Sequence, residues 1–437
     1  MELATRLAER LNDYLKQHTE LTAWRIDLYE TRGFETGLKN NRIGGPYSAP
    51  GYKRSISGEI YLIWADQKFT SAKLDSRVVD DFSEYMDIWR ATTYCDPDGV
   101  GLYKPDAHAR NIPQVELFDE RVKRIIDHQD PLPFRLLEQG LQYLSDQGIK
   151  KIDGKVRCYD GTRVIMNSEG LQVNYSQSPV DFFFEANDCY GESYGEKKWP
   201  TELEIKRVIE NTANIASLLA KNPVREVSGK MRLLFPPGIF ESFLGQFLLT
   251  NLYGSLVVNR QSRFTLDDFQ TERQVLRNDL SLELNTLLPY RAMSYPCTSE
   301  GVAGGKVSFI NEGKLKTPIL SLKYAKKAGL TPTPIPSGGF FIKTSQTLDT
   351  WERLIKETDK GMIIYSILGL HTQDASSGHF SLTADQCLLV ERGEVVAKVK
   401  AVINGDFLEA LTREDSSLAS YEGEENPGFA FWASVSG

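Results

Sequence analysis

The sequence predicts an α+β fold in two domains. Residues 1–222 form an N-terminal domain that mixes helices with a sheet, and residues 223–437 form a C-terminal domain built on a large, mostly antiparallel sheet or barrel. Three observations carry this. The chain has 437 residues, beyond the roughly 250–300 at which a single hydrophobic core stops growing. Helical and strand-like periods are interleaved in the first half. In the second half alternating, strand-like patterns dominate, and two hairpins are written in nearly the same residues.

Leu3, Ala4, Leu7, Ala8, Leu11 and Leu15 recur at helical spacing and predict an opening amphipathic helix. A strand follows at 22–29. The segment from Gly44 through Pro46 to Gly51 interrupts the chain before a hairpin of strands 56–64 and 69–74. Val79, Phe82, Tyr85, Met86 and Trp89 then share one face of a helix over 76–89. Residues 95–113 are rich in Asp, Pro and Gly. Asp96-Pro97-Asp98-Gly99 begins like a calcium loop, but Val100 holds the next ligand position and no Glu closes a twelve-residue frame, so the stretch reads as turns.

A helix over 134–144 leads into strands at 155–159, 163–166, 170–175 and 180–185, with Asn167-Ser168-Glu169-Gly170 as a hairpin turn. Thr201 and Glu204 make a capping box for a helix carrying Ile205, Val208, Ile209, Ile215, Ala216 and Leu219. The polar stretch 221–229, with Pro223, is the expected domain boundary.

The second half opens on Leu233-Leu234-Phe235, then Pro236-Pro237-Gly238 and a helix-compatible run over 239–252. Residues 309–319 (FINEGKLKTPI) match 389–399 (LVERGEVVAKV) position by position, with Gly313 and Gly393 at the turns. Either one sheet carries both with internal pseudo-symmetry, or two hairpins share a common grammar. Between them, 347–360 is a short helix presenting Trp351, Leu354 and Ile355, capped by Gly361. An apolar strand, 362–368, precedes a polar loop, 372–378, flanked by His371 and His379. Phe380, Leu382, Ala384, Leu388 and Val390 then lie at even spacing on one face of a long strand. Its return carries Val395, Ala397, Val399, Ala401 and Ile403.

The net charge is −8 and the pI about 5.4, which argues against a broad basic face for nucleic acid. Charged residues break up the first turns, as no signal peptide would have them, and no run reaches the ~18 apolar residues of a membrane span. The cysteines (Cys95, Cys158, Cys189, Cys297, Cys387) are scattered and odd in number, as expected for buried thiols in a reducing cytoplasm. Phosphate-binding glycine loops, nucleophile elbows and H-E-x-x-H are absent. Of the histidines His18, His108, His128, His371 and His379, only the last two are near one another, with Asp374 between them. They read as solvated loop residues more readily than as metal ligands.

In order and spacing these elements resemble the TldD/PmbA family over nearly the whole chain. This is a family of two-domain proteins that includes zinc metallopeptidase subunits, first named as modulators of DNA gyrase. The resemblance rests on the strand-hairpin-helix of 56–89, on Asn167-Ser168-Glu169-Gly170, and on Glu300-Gly301 followed by the 309–319 hairpin. It rests also on 377–395 (SGHFSLTADQCLLVERGEV). Catalytic members carry H-E-x-x-x-H on the first helix of the second domain and a cysteine ligand near the C-terminus. Here Phe240 and Gly245 replace the two histidines if Glu241 matches the motif glutamate. In the other register, Glu241 and Gln246 replace them. Residues 417–437 contain no cysteine.

The resemblance therefore implies a PmbA-type (TldE-like) subunit without a catalytic centre or metal of its own. Zinc is expected in a TldD-type partner, or the chain forms a homodimer, and the substrate is a peptide or unfolded segment held partly by strand addition. Direct contact with DNA or membrane is not expected. His371, Thr372, Gln373, Asp374 and His379 would face peptide or partner, and Glu241 would be a capping or interface carboxylate. Two alternatives remain open at this point. One is a stand-alone hydrolase centred on His371, Asp374 and His379, with Glu241 as a further candidate. The other is a regulator that affects gyrase indirectly.

Overall fold

The computed structural model describes residues 3–45, 48–99, 101, 102, 104 and 112–437. His108, Pro46, Val100 and most of the predicted loop beyond it lie outside the described residues, as does the side chain of Val79. The first part of the chain runs α1 (Leu3–Leu15), β1 (Leu21–Lys39), β2 (Arg42–Ile43), β3 (Gly51–Trp64), β4 (Phe69–Asp75), α2 (Ser76–Asp80), α3 (Met86–Ala91), α4 (Glu120–His128) and α5 (Leu132–Asp146). It continues with β5 (Ile152–Asn167), β6 (Gln172–Gln177), β7 (Val180–Ala186), β8 (Tyr190–Glu196) and α6 (Glu202–Lys221). The strands form one antiparallel sheet in the order β4-β3-β1-β5-β7-β8, with β2 on β1 and β6 on β5.

Alternation decides its two faces. Trp24, Ile26 and Leu28 of β1, Ile60 and Leu62 of β3, and Val164 and Met166 of β5 form one core cluster with the buried stripe of α1. Asp27, Tyr29 and Thr31 point the other way. The strand read as 22–29 runs on to Lys39, and the two short strands read at 155–159 and 163–166 are a single β5. Gly161, which looks like a break, is a close approach instead: a Cβ there would meet Glu30 O at 2.5 Å and the Tyr29 ring at 2.9 Å. The helix read over 76–89 is broken into α2, a 3-10 turn (Phe82–Tyr85) and α3, because Asp81 adopts φ −144° between them.

The second part runs β9 (Ser228–Phe235), α7 (Pro237–Phe243), β10 (Leu280–Asn285), β11 (Lys306–Asn311), β12 (Lys314–Leu315), β13 (Phe341–Thr344), β14 (Asp349–Thr350), β15 (Lys360–Leu368), β16 (His379–Glu391), β17 (Glu394–Asp406), β18 (Ser417–Ser420) and β19 (Gly428–Ser436). Strands β12-β11-β10-β13 make a small sheet. Strands β9, β15, β16, β17 and β19 close into a barrel, because β9 pairs in parallel with β15 on one side and antiparallel with β19 on the other. The fold is thus α+β with a mostly antiparallel C-terminal barrel. No helix among the described residues is long and apolar enough to cross a membrane.

The two look-alike hairpins sit in different sheets, β11–β12 in the small sheet and β16–β17 in the barrel. Their likeness is one of turn chemistry: Glu312-Gly313 and Arg392-Gly393 all have φ between 49° and 80°, as the tight two-residue hairpin turn requires. The even spacing along β16 does not hold throughout. A register shift between Ala384 and Cys387 puts Phe380, Leu382, Ala384, Cys387 and Leu389 in the main core. Leu388 and Val390 turn outward, where they pack with Ile215 and Leu219 of α6. Gly361 lies within β15; the preceding helix ends at Lys356, with Glu357 as its cap.

Candidate functional site

Pro236 ends β9, and Pro237 begins α7 as its first residue, where proline's missing N–H costs nothing. The helix continues beyond Phe243 through a π-helical stretch, Leu244–Leu249, and one last α turn to Leu252. Such widened turns recur at functional sites. Phe240, Phe243 and Phe247 enter the core against Phe407, and Phe240 stacks on Phe429 at 4.6 Å. Of the residues that can match the zinc motif, Phe240 is therefore lost to packing. Glu241 instead lines a cavity, and Gln246 reaches the loop between β15 and β16.

The cavity encloses about 320 Å³ between β8, the start of α7, β15 and the segment joining β18 to β19. Glu241 Oε1 accepts a hydrogen bond from Asn426 Nδ2 at 2.7 Å. Asn426 is itself buried, donating also to Phe340 O at 2.9 Å and accepting from Ile342 N at 2.9 Å. Burial pushes the Glu241 carboxyl above its usual range, against the opposing effect of Asn426. Glu424, across the cavity, is raised by burial and by the charges of Glu192 and Glu241, while Arg207 opposes this at 3.6 Å. Tyr190 Oη donates to Glu192 Oε2 at 2.7 Å, and its ring meets Tyr365 edge-on at 5.4 Å. Burial raises the Tyr365 phenol, whose hydroxyl has no hydrogen-bond partner among the described residues.

The loop predicted as peptide-facing lies on the far side of Gln246. Gln246 Nε2 donates to Gln373 O at 3.1 Å, Asn251 Nδ2 to Ala375 O at 2.7 Å and Arg263 Nη1 to Ser377 O at 2.8 Å. Three side chains thus fasten the loop backbone to the helix and the turn after it. Gln373 Oε1 accepts from Ser381 N, Thr372 Oγ1 donates to Gly369 O, and Asp374 Oδ1 accepts from Ser376 N and Oγ. The Asp374 carboxylate is held down by these local bonds. His371 is exposed on a 3-10 turn. His379 is 74% exposed at its side chain, with Nδ1 3.5 Å from Asp406 Oδ2. Asp374 and His379 thus have other partners.

A peptidase zinc needs imidazole or thiolate donors on a fixed frame. Here the frame offers a core phenylalanine, a carboxylate and an amide, and Asn426 comes in from the C-terminal segment. Cys387 is fully buried in β16, where burial drives its thiol upward. Among the described residues, no group of three or more His, Cys, Asp or Glu is placed to hold a metal ion. These residues do not fit a zinc centre.

Sequence reading passed over Glu192, Tyr365, Glu424 and Asn426. Glu422-Gly423-Glu424-Glu425-Asn426 looks like a solvated turn, and only its return onto α7 gives it meaning.

Residues 228–420 match the model of the PmbA/TldA metallopeptidase C-terminal domain. A metalloprotease of Methanocaldococcus jannaschii is 23% identical over 307 residues, 64% of this chain and 65% of that protein, so the match spans a little under two thirds of the relative. Metalloprotease PmbA of Escherichia coli is 24% identical over 337 residues, 75% of this chain and 72% of that protein. Among solved structures, TldE from Thermococcus kodakarensis has the same fold, with a TM-score of 0.80 at 19% identity over 99% of this chain and 100% of that one. Residues 228–420 are thus similar to the PmbA/TldA metallopeptidase C-terminal domain, and the chain as a whole shares the fold of TldE.

Proposed function

We propose that this chain is a PmbA/TldE-type subunit that handles peptides without hydrolysing them, paired in the cytoplasm with a TldD-type subunit that carries the zinc. The observation behind this reading is the Glu241–Asn426 pair. It joins the helix and the C-terminal segment from which catalytic relatives are expected to draw their ligands, and it is a hydrogen bond between a carboxylate and an amide. In the paired enzyme, an extended peptide adds to an open sheet edge, where main-chain hydrogen bonds accept many sequences. β8 offers such an edge: among the described residues its only strand partner is β7. The loop around Thr372, Gln373 and Asp374, with His371 and His379 beside it, faces the partner or the peptide. DNA takes no direct part.

Co-expression with a TldD-type subunit, followed by size-exclusion chromatography, zinc analysis and peptidase assays, tests this. The expected result is a stable complex, zinc that follows the partner, and hydrolysis by the pair that this chain alone lacks. Peptide hydrolysis by the isolated chain with stoichiometric zinc would overturn it, as would failure to associate. A homodimer in the absence of the partner would elute at twice the monomer mass.

A further inference from the structure

The cavity beside Glu241 holds more negative charge than its surroundings balance. Three carboxylates line it, from Glu192, Glu241 and Glu424. Two arginines stand nearby, and both are engaged. Arg207 donates to Gly423 O and lies 3.6 Å from Glu424. Arg291 bridges Glu196 and Glu425 at 2.9 Å to each. Glu241 is left with a neutral amide as hydrogen-bond partner and only the longer-range charge of Arg291, and Glu192 with a phenol and the Ser193 N–H at 3.4 Å. Removing carboxylates from water without a paired cation is costly, so the site is built to gain from a cation that enters it.

The rest of the lining says which kind. Tyr190, Tyr365 and Tyr421 supply aromatic walls, and ring faces attract ammonium groups. Tyr365 lines the same space, its hydroxyl has no hydrogen-bond partner among the described residues, and a phenol oxygen accepts from an N–H donor. A volume of about 320 Å³ is at the low end for ligand pockets (~300–1,000 Å³) and suits an end group more than a long segment. β8 itself contributes Tyr190 and Glu192 to the lining, and among the described residues its other edge has no strand partner.

We infer that this cavity recognises a protonated primary amine on an extended peptide, with Glu192, Glu241 and Glu424 as counter-charges and Tyr365 as hydrogen-bond acceptor. This rests on the reading of the chain as a peptide-handling subunit. Two groups share the chemistry, the free α-amine at a peptide's start and the ε-amine of lysine.

Isothermal titration of the purified full chain with tetra-alanine amide, its N-acetylated form, and an N-acetylated tetrapeptide amide carrying one lysine tests the inference. Acetylation is expected to weaken binding about tenfold or more, as loss of a desolvated charge pair does. Binding of the lysine peptide assigns the site to side-chain amines as well; its failure assigns the site to the chain terminus alone. Glu241→Gln, which keeps the Asn426 hydrogen bond, and Glu192→Gln are expected to weaken the free-amine peptide about tenfold while leaving the acetylated one unchanged. Equal binding of free and acetylated peptides by the wild-type chain overturns amine recognition and leaves the peptide-handling subunit standing. Absence of binding by all three also overturns it, and association with a TldD-type subunit is then scored separately.

Discussion

Asn426 Nδ2 donates to Glu241 Oε1 at 2.7 Å across 185 positions of sequence, and the same side chain holds Phe340 O and Ile342 N. One buried amide therefore ties the start of α7, the edge of the small sheet and the approach to β19 together. Asn426→Ala strands a carboxylate, a carbonyl and an N–H at once. We expect a loss of about 2–4 kcal/mol, since each unpartnered buried group costs ~1–3 kcal/mol. Asn426→Asp should be worse, because it sets a second carboxylate against Glu241. Urea unfolding of both variants measures this.

Glu241 gives a pH-dependent signature. Its folded-state pKa lies above the ordinary 4.5, so the folded chain holds this proton more tightly than the unfolded one. The resulting stability is complete below pH 4.5 and is lost as pH rises through the folded value. Glu241→Gln should therefore match the wild type in acid and become increasingly the more stable of the two toward neutrality. Paired thermal melts over a pH series report the crossover, and a constant difference would contradict it.

Lys197 behaves in the opposite sense. It is buried, donates to Ser294 O, and is pushed down from 10.5 to about 8 by desolvation and by Arg163 nearby, with Glu196 opposing. Below pH 8 the ammonium is charged in both states and costs stability, which returns as pH climbs from about 8 toward 10.5. The rise should approach about 3 kcal/mol, at ~1.4 kcal/mol per pKa unit. Lys197→Met should flatten the profile in that window, as read by denaturant unfolding.

Two glycines should respond with opposite signs. A Cβ on Gly245 meets nothing within 4 Å, so Gly245→Ala should stabilise the chain by about 0.5–1 kcal/mol through helix propensity. Gly393 has φ +80° and its Cβ would meet Lys356 O at 2.4 Å. Gly393→Ala should cost about 2–3 kcal/mol. Thermal midpoints of the two variants decide.

The opening helix, the Thr201 capping box, the Asn167-Gly170 turn and the β16–β17 hairpin could be read from residue spacing, because each is set by contacts within a few positions. What escaped notice depends on distant partners. The polar half of β1 gives no alternating signal, since its neighbours on both sides make it a central strand. The shift at Ala384 depends on how β16 meets β17, and no periodicity within β16 announces it. The cavity is the extreme case. Tyr190, Glu241, Tyr365 and Glu424 come from four separate parts of the chain, and none of them stands out in its own. The family motif located Glu241; the rest follows from folding.

The barrel closes through β9 and β19, strands separated by roughly 190 residues. Every strand of the large first sheet finds its partners within residues 21–196. During synthesis the N-terminal sheet can therefore assemble while the ribosome is still far from β19. The apolar residues of β9 must wait, exposed along one edge, until nearly the last residues emerge. A chain stalled late in translation would present an ordered first sheet beside an open, adhesive barrel wall, a species that chaperones are built to hold.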